Sequence, residues 1–356
     1  MFIKKNSYLR DISRIRVSEG RDLENGLRLD RNEKVDAWGL NFIKDIFDDK
    51  PSYFLSVYPE SSSLYKKISI FDSIEESKIL LTAGIDGGIK TIFEVATDPG
   101  DIVGVVSPTY AMYNVYSNLF QTKLFEIKYN EDYSFNDNLF EDFLDLNPTI
   151  FFLPNPNQPI ESCFGIKRLR ELAKKTLEKN CLFVIDEAYH LFGSETAVEL
   201  INEFENVIVA RTFSKGFGVP SIRLGYLLAS DDNMSVLSKT RFAHESNALS
   251  NAVAEYLLDN YNIVKDYNEK VIESREILKD KLEDLGIKAI GDNGNYLLLD
   301  LGSKEKASAL VEYLKEQVIY VKGPWKNPWE HCLTITIGPI ETMKKFIHSV
   351  EEFYNK

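Results

Sequence analysis

The sequence predicts an α/β protein in two parts: a large domain with a mostly parallel sheet flanked by helices, and a smaller α+β domain at the C-terminal end. Three observations predict it. The chain has 356 residues, 44% of them hydrophobic and 12% aromatic, enough to bury one large core and a second smaller one. From about residue 79 to residue 230, short apolar runs alternate with helical spacings across connections of a few residues, the pattern of a two-sided parallel sheet. From Ile287 onward the pattern changes to strands over 296–300, 318–321 and 332–337, with helices between and after them. The expected boundaries are an N-terminal arm over 1–35, a large domain over 36–260 and a small domain over 261–356.

Composition excludes several classes of function. A net charge of −13 argues against nucleic acid or an anionic membrane as partner, since both reward a basic surface. A small anionic metabolite can still bind through a few local cations. Cys163, Cys181 and Cys332 are odd in number and widely spaced, and the chain has four histidines, so neither a disulfide framework nor a zinc site is expected. The start, Met1-Phe-Ile-Lys-Lys-Asn6, is too poor in apolar residues for a signal peptide, and no run approaches a membrane span. The expectation is a soluble, cytoplasmic protein acting on small molecules.

In chain order, residues 1 to about 35 are mixed and charged and end in Leu27-Arg-Leu-Asp-Arg-Asn-Glu33, an arm in its plainest reading. A helix is expected around 39–48. Tyr58-Pro-Glu-Ser-Ser-Ser63 makes a turn into a helix around 63–71. The apolar run at 79–82 breaks into Gly84-Ile85-Asp86-Gly87-Gly88; these glycines let backbone pass close to a ligand, and the helix start that follows favours an anion. Many strand-to-helix turns share that pattern. A strand over 102–106 leads to Ser107-Pro-Thr-Tyr110, where residue type alone makes the aromatic a core filler. A strand at 123–127 and an acidic helix over 136–145 come next. The strand over 149–153 runs into Pro154-Asn-Pro-Asn-Gln-Pro159, which forces an irregular loop.

Helical spacing over 165–178 precedes Cys181-Leu-Phe-Val-Ile-Asp-Glu-Ala-Tyr189, a buried strand ending in an acid. A carboxylate at the C-terminal end of a parallel strand is where open α/β sheets keep their chemistry, although a helix cap is the competing reading of Asp186. The strand at 207–210 then opens into Arg211-Thr-Phe-Ser-Lys-Gly-Phe-Gly-Val-Pro-Ser-Ile-Arg-Leu-Gly-Tyr226. Burial lowers the proton affinity of a lysine, and a neutral amine can condense with an aldehyde, so Lys215 between Ser214 and two glycines reads as chemical. Arg223, a fixed cation, and the Ser214 hydroxyl suit a phosphate. Residues 232–285 read as long, charged helices.

Thr212-Phe-Ser-Lys-Gly-Phe-Gly218 followed by Ile222-Arg-Leu-Gly-Tyr226 resembles the lysine segment of pyridoxal-phosphate enzymes of fold type I, in their histidinol-phosphate aminotransferase-like branch. The resemblance implies pyridoxal 5'-phosphate carried covalently by Lys215, which would shuttle the proton between Cα and C4′. It implies that Asp186 pairs with the pyridinium nitrogen, that Tyr189 donates to the phenolic oxygen, and that Tyr110 stacks on the ring. Gly84, Ile85 and Asp86 resemble the phosphate cup, with Thr212, Ser214 and Arg223 also toward the cofactor. Tyr58 would reach across a homodimer interface to the cofactor of the other subunit, and the arm would lie over the active site.

Four departures qualify the resemblance. Val57 stands where an arginine usually precedes the tyrosine. Gln158 stands where the second loop asparagine donates to the phenolic oxygen, with Asn157 as the alternative donor, and Ile160-Glu161 replaces Thr-Gly. Thr334, in Leu333-Thr-Ile-Thr-Ile-Gly338, occupies the place of the arginine that grips the substrate's α-carboxylate, and threonine cannot form a bidentate ion pair. Lys322 replaces a second substrate-side arginine, so Lys322 or Arg31 would have to supply the missing cation. The reaction implied first is transfer of an amino group from an amino acid such as glutamate to a small phosphorylated ketone. The alternatives are decarboxylation of a phosphorylated amino acid of the phosphoserine or phosphothreonine type, and a non-catalytic regulator, which the intact Lys215 disfavours.

Overall fold

The computed structural model describes Ile12 and residues 20–355. After β1 (Leu27–Leu29) come α1 (Phe42–Phe47) and α2 (Ser62–Asp72). A regular alternation follows: β2 (Ile79–Thr82), α3 (Gly84–Ala96), β3 (Ile102–Ser107), α4 (Met112–Leu119), β4 (Lys123–Lys128), α5 (Asp137–Leu144), β5 (Ile150–Pro154), α6 (Ile166–Glu178) and β6 (Leu182–Asp186). It continues with α7 (Leu200–Glu203), β7 (Val207–Thr212), β8 (Gly225–Ala229), α8 (Asp231–Leu237), α9 (Ala248–Asp259) and α10 (Tyr261–Asp284). The chain closes with β9 (Lys288–Ile290), β10 (Tyr296–Asp300), α11 (Lys304–Glu316), β11 (Ile319–Val321), β12 (Cys332–Thr336) and α12 (Ile340–Tyr354).

The large sheet has seven strands in the order β2-β8-β7-β6-β5-β3-β4. Its pairings are parallel from β7 to β4, while β8 runs antiparallel to both β7 and β2. All but the edge strand β4 are buried on both faces, which is why they read as continuous apolar runs. Alternation still decides the face: Phe151, Leu153, Phe183, Ile185, Val207 and Val209 join one core cluster, and Ile150, Phe152, Val184, Ile208 and Ala210 join the other. A buried ion cluster ties strand ends together. Arg211 on β7 donates through Nε and Nη2 to Glu187 Oε2 at 3.0 and 2.8 Å and through Nη1 to Asp72 at the end of α2.

A second, smaller unit has an antiparallel sheet, β12-β10-β9, packed on a separate core that includes Leu278, Leu299, Leu310 and Phe346. Here β1 of the arm pairs in parallel with β11, Leu27 opposite Ile319 and Leu29 opposite Val321. Parallel pairing makes the two strands exit at the same end, so residues 30–33 and 322–323 emerge side by side. No helix among the described residues is long and apolar enough to cross a membrane.

Candidate active site

The C-terminal ends of the parallel strands converge on one cavity of about 660 Å³. Pro154 on β5 is level with Asp186 on β6, which is level with Ala210 on β7 two residues before that strand ends, so three adjacent strands bring their C-terminal ends to one floor. The cavity wall contains Ile85, Asp86, Tyr110, Asn157, Gln158, Asp186, Tyr189, Thr212, Ser214, Lys215 and Arg223 from the large sheet's loops. Arg31 and Lys322 complete it from the paired ends of β1 and β11.

Lys215 is the chemical centre of this wall. Its Nζ donates to the carbonyl of Arg31 at 2.8 Å and lies 5.8 Å from the centroid of the Tyr189 ring. Burial lowers its pKa to about 8; Glu33 works in the opposite direction, and the cations Lys322 and Arg223 add to the lowering. Asp186, 4% exposed, is pushed up to about 6, chiefly by burial. Two donors resist that rise: Tyr113 Oη donates to Oδ2 at 2.7 Å, and the Ala188 N–H donates to Oδ1 at 3.0 Å. Tyr113 itself is fully buried, and burial raises its pKa, so it remains a proton donor.

The glycine turn and Arg223 form an anion cradle. Arg223 has φ +50° at the end of a short helical turn, and a Cβ on Gly84 would come within 3.0 Å of its Nη2. Gly84 has φ +69°, so it is required for backbone conformation and for closeness alike. The N–H groups that open α3 have no side-chain cap to occupy them. Thr212 Oγ1 donates to Ser214 Oγ at 3.0 Å and accepts from the Ser214 N–H at 3.1 Å, which fixes the serine beside the lysine.

The two amides of the proline-rich loop differ in what remains free. Asn157 is buried, its Nδ2 donates to Pro108 O and Ile160 O at 3.0 and 2.8 Å, and its Oδ1 accepts from Thr109 Oγ1 at 2.6 Å. Both its N–H groups are engaged by backbone, so Gln158 is the amide of this pair with donors to offer the cavity. Glu161, in the glycine's place, accepts from the backbone N–H groups of Asp292 and Asn293 at 2.9 Å each, so it ties this loop to the turn before β10.

Three expected site residues stand apart from the cavity wall. Tyr58 is 77% exposed and stacks on His244, with ring centroids 4.4 Å apart. Gly84 sits behind Arg223. Thr334 is 1% exposed and its Oγ1 accepts from Trp325 Nε1 at 2.8 Å, while its backbone exchanges two hydrogen bonds with Lys322.

Two participants were given no role by the sequence reading, although the Asn32-Glu33 pair that ends the arm resembles the family's entry segment. Tyr113 could have been found from its spacing, one turn beyond Tyr110 on the helix that follows the strand. Asn32 could not: its Nδ2 donates to Tyr189 Oη at 2.8 Å, its N–H donates to Thr336 Oγ1 at 2.9 Å, and these partners lie far along the chain. Outside the cavity, Asp300, His331 and Cys332 bring ligand atoms within 4.8 Å of one another. Tyr133 Oη donates to Asp300 Oδ2 at 2.7 Å and burial pushes the Cys332 thiol up to about 12, so the group behaves as a hydrogen-bonded contact.

The residues fit pyridoxal phosphate: an amine lowered toward neutrality, a buried acid held ionised by two donors, and an arginine packed against a glycine turn at a helix start. Fold and cavity together define a pyridoxal-phosphate enzyme of fold type I. The profile of aminotransferase class I and II matches residues 28–350, and the chain belongs to that family, in its histidinol-phosphate aminotransferase-like branch. It is 30% identical over 333 residues to a histidinol-phosphate aminotransferase of Christiangramia forsetii, covering 92% of this chain and 90% of the relative. It is 27% identical to a dihydroxyacetone phosphate transaminase of Campylobacter jejuni, over 93% of this chain and 91% of that one. The fold matches the histidinol-phosphate aminotransferase of Sinorhizobium meliloti solved with pyridoxal-5'-phosphate, with a TM-score of 0.89 at 21% identity over 100% and 98% of the two chains. The protein is therefore a pyridoxal-phosphate-dependent aminotransferase.

Proposed function

We propose that this enzyme moves an amino group from glutamate to a small phosphorylated ketone. The observation that carries the reading is the charge of the substrate side. Thr334 leaves no guanidinium at the place of the usual carboxylate clamp, and Lys322 and Arg31 supply point and forked cations beside Lys215. A phosphate monoester needs such cations, and the likeness to a dihydroxyacetone phosphate transaminase supports an acceptor of that kind.

Each residue has a distinct task. When bound, pyridoxal phosphate supplies an electron sink for the substrate's Cα. Lys215 would carry the group, and its Nζ, with a pKa lowered to about 8, would be the base that takes and returns the proton at the substrate's Cα. Asp186 would keep the ring nitrogen protonated. Tyr189 and Gln158, with Asn157 behind it, serve the phenolic oxygen, and the half-exposed ring of Tyr110 covers the pyridine face. The turn of Gly84, Ile85 and Asp86 would present the first N–H groups of α3 to the cofactor phosphate, with Thr212, Ser214 and Arg223 beside it, and Lys322 and Arg31 would hold the substrate's anionic group.

The assembly we propose is a homodimer acting in the cytoplasm. Leu40, Tyr53, Leu55, Val57, Tyr58 and Phe242 are each more than half exposed, and a second copy of the chain would cover them while receiving Tyr58 at its own cofactor phosphate. The arm over 1–35, the large domain over 36–260 and the small domain over 261–356 are the corresponding division of labour, the small domain and arm bringing Lys322 and Arg31 to the substrate.

The test is coupled turnover with glutamate as donor and dihydroxyacetone phosphate or dihydroxyacetone as acceptor. Production of 2-oxoglutarate with the phosphorylated ketone alone supports the proposal; equal rates with both ketones overturn it. Loss of the clamp at Thr334 also favours the second reading, decarboxylation of a phosphorylated amino acid, because a carboxylate without a fork can stand perpendicular to the ring. Carbon dioxide released from phosphoserine or phosphothreonine would establish that activity instead.

A further inference from the structure

The cations of the cavity wall are unequally neutralised. Arg31 Nε lies 3.4 Å from Asp30 Oδ2, and Arg21 takes Asp30 Oδ1 and Glu33 Oε2 at 2.9 and 3.0 Å. The acids at this side of the cavity thus already have partners. Lys322 has no carboxylate within salt-bridge distance among the described residues, and Asp30 reaches it only as a more distant attraction. Lys322 is therefore the wall cation left to water and to an aromatic neighbour.

Trp325 is that neighbour. Lys322 Nζ lies 4.5 Å from the indole ring centroid, within the range at which an ammonium is attracted to an aromatic face. The indole is itself fixed, because Nε1 donates to Thr334 Oγ1 at 2.8 Å and the Trp325 N–H donates to Cys332 O at 3.1 Å. The backbone of Lys322 is fixed by the same strand, with the Lys322 N–H to Thr334 O at 3.0 Å and the Thr334 N–H to Lys322 O at 2.7 Å. Gly323 between them has φ +153°, and a Cβ there would meet Leu333 Cβ at 2.8 Å, so the turn lies flat on β12. The threonine at the missing arginine's position is therefore part of a platform.

We propose that Trp325 is a specificity-determining residue of this pocket: with its ring fixed by Thr334, it holds the Lys322 ammonium as a single point cation that selects a phosphate monoester over a carboxylate. This deepens, and rests on, the phosphorylated-acceptor reading above. A planar carboxylate is best gripped by the two parallel donors of a guanidinium, which this wall lacks at residue 334. A tetrahedral phosphate accepts from any side and carries up to twice the charge, so a point cation favours it by simple Coulomb attraction.

The experiment uses the full chain loaded with pyridoxal phosphate, so that the Arg223 cradle is filled, and calorimetric titration with glycerol 3-phosphate or glycerate as unreactive probes. Wild type is expected to bind glycerol 3-phosphate more tightly than glycerate. Trp325→Leu and Lys322→Met should each weaken glycerol 3-phosphate by about tenfold and leave glycerate little changed, and the double variant should lose no more than the worse single one. Trp325→Phe keeps a ring face and Thr334→Val removes only the hydroxyl; each should lose part of the affinity, which keeps the test decisive if Trp325→Leu does not fold. If Trp325→Phe and Thr334→Val bind both probes as wild type does while Lys322→Met is weakened, the platform is overturned and the substrate reading stands. If Lys322→Met also binds as wild type, the phosphorylated-substrate reading falls with it.

Discussion

Tyr113 Oη lies 2.7 Å from Asp186 Oδ2, and neither side chain has appreciable access to water. A buried carboxylate drifts toward its protonated form, and this phenol is one of the two groups that oppose the drift. Replacing Tyr113 with Phe removes a hydrogen bond to a charged group, worth about 1.5–3 kcal/mol, or one to two pKa units. The Asp186 pKa should rise from about 6 by that amount, because its ionised form loses a donor. Tight cofactor binding, which needs the ionised acid, should then begin at a higher pH; titration of cofactor affinity against pH checks this, and an unmoved midpoint would contradict it.

Lys215 gives a prediction of opposite sign. Its pKa is lowered from 10.5 to about 8, so the reactive neutral amine appears earlier as pH rises. The rate of cofactor incorporation into the cofactor-free protein should climb about tenfold per pH unit below 8 and level off above it. A climb that continues to pH 10 would show that the lysine is not desolvated. Lys215→Met should retain no cofactor after borohydride reduction and dialysis.

Arg211 is 4% exposed and serves Glu187 and Asp72, themselves buried. Arg211→Met leaves two acids without their cation and should destabilise the fold by about 3–5 kcal/mol. Denaturant unfolding at pH 7 measures it; a loss under about 1 kcal/mol would mean that the cluster relaxes into solvent.

What was legible in the sequence was what the chain encodes locally. The strands at 79–82, 102–107, 150–154, 182–186 and 207–212 announce themselves because both faces are buried, and the residues after them carry the site because parallel strands end together. The antiparallel β8 was folded into the same apolar alternation, since direction leaves no mark on a five-residue buried strand. Long-range pairings were not legible. Nothing at Asn32 announces Tyr189, 157 residues away, and nothing at Leu27 announces its register with Ile319. Thr334 was read as an arginine that is absent, and the indole that takes its hydroxyl came from a loop whose path depends on Gly323 packing against Leu333. The choice between Asn157 and Gln158 was open in sequence because both amides suit the task; it is the backbone carbonyls of Pro108 and Ile160 that engage the first and leave the second.

The central claim is that this cavity performs transamination, and the half-reaction tests it most directly. The protein loaded with pyridoxal phosphate is mixed with glutamate alone, the cofactor absorbance is followed, and any carbon dioxide is trapped. Conversion of the pyridoxal to the pyridoxamine form, with 2-oxoglutarate released and no gas, is the predicted result. An unchanged spectrum with glutamate, together with gas from a phosphorylated amino acid, would contradict it and make Thr334 the mark of a decarboxylase.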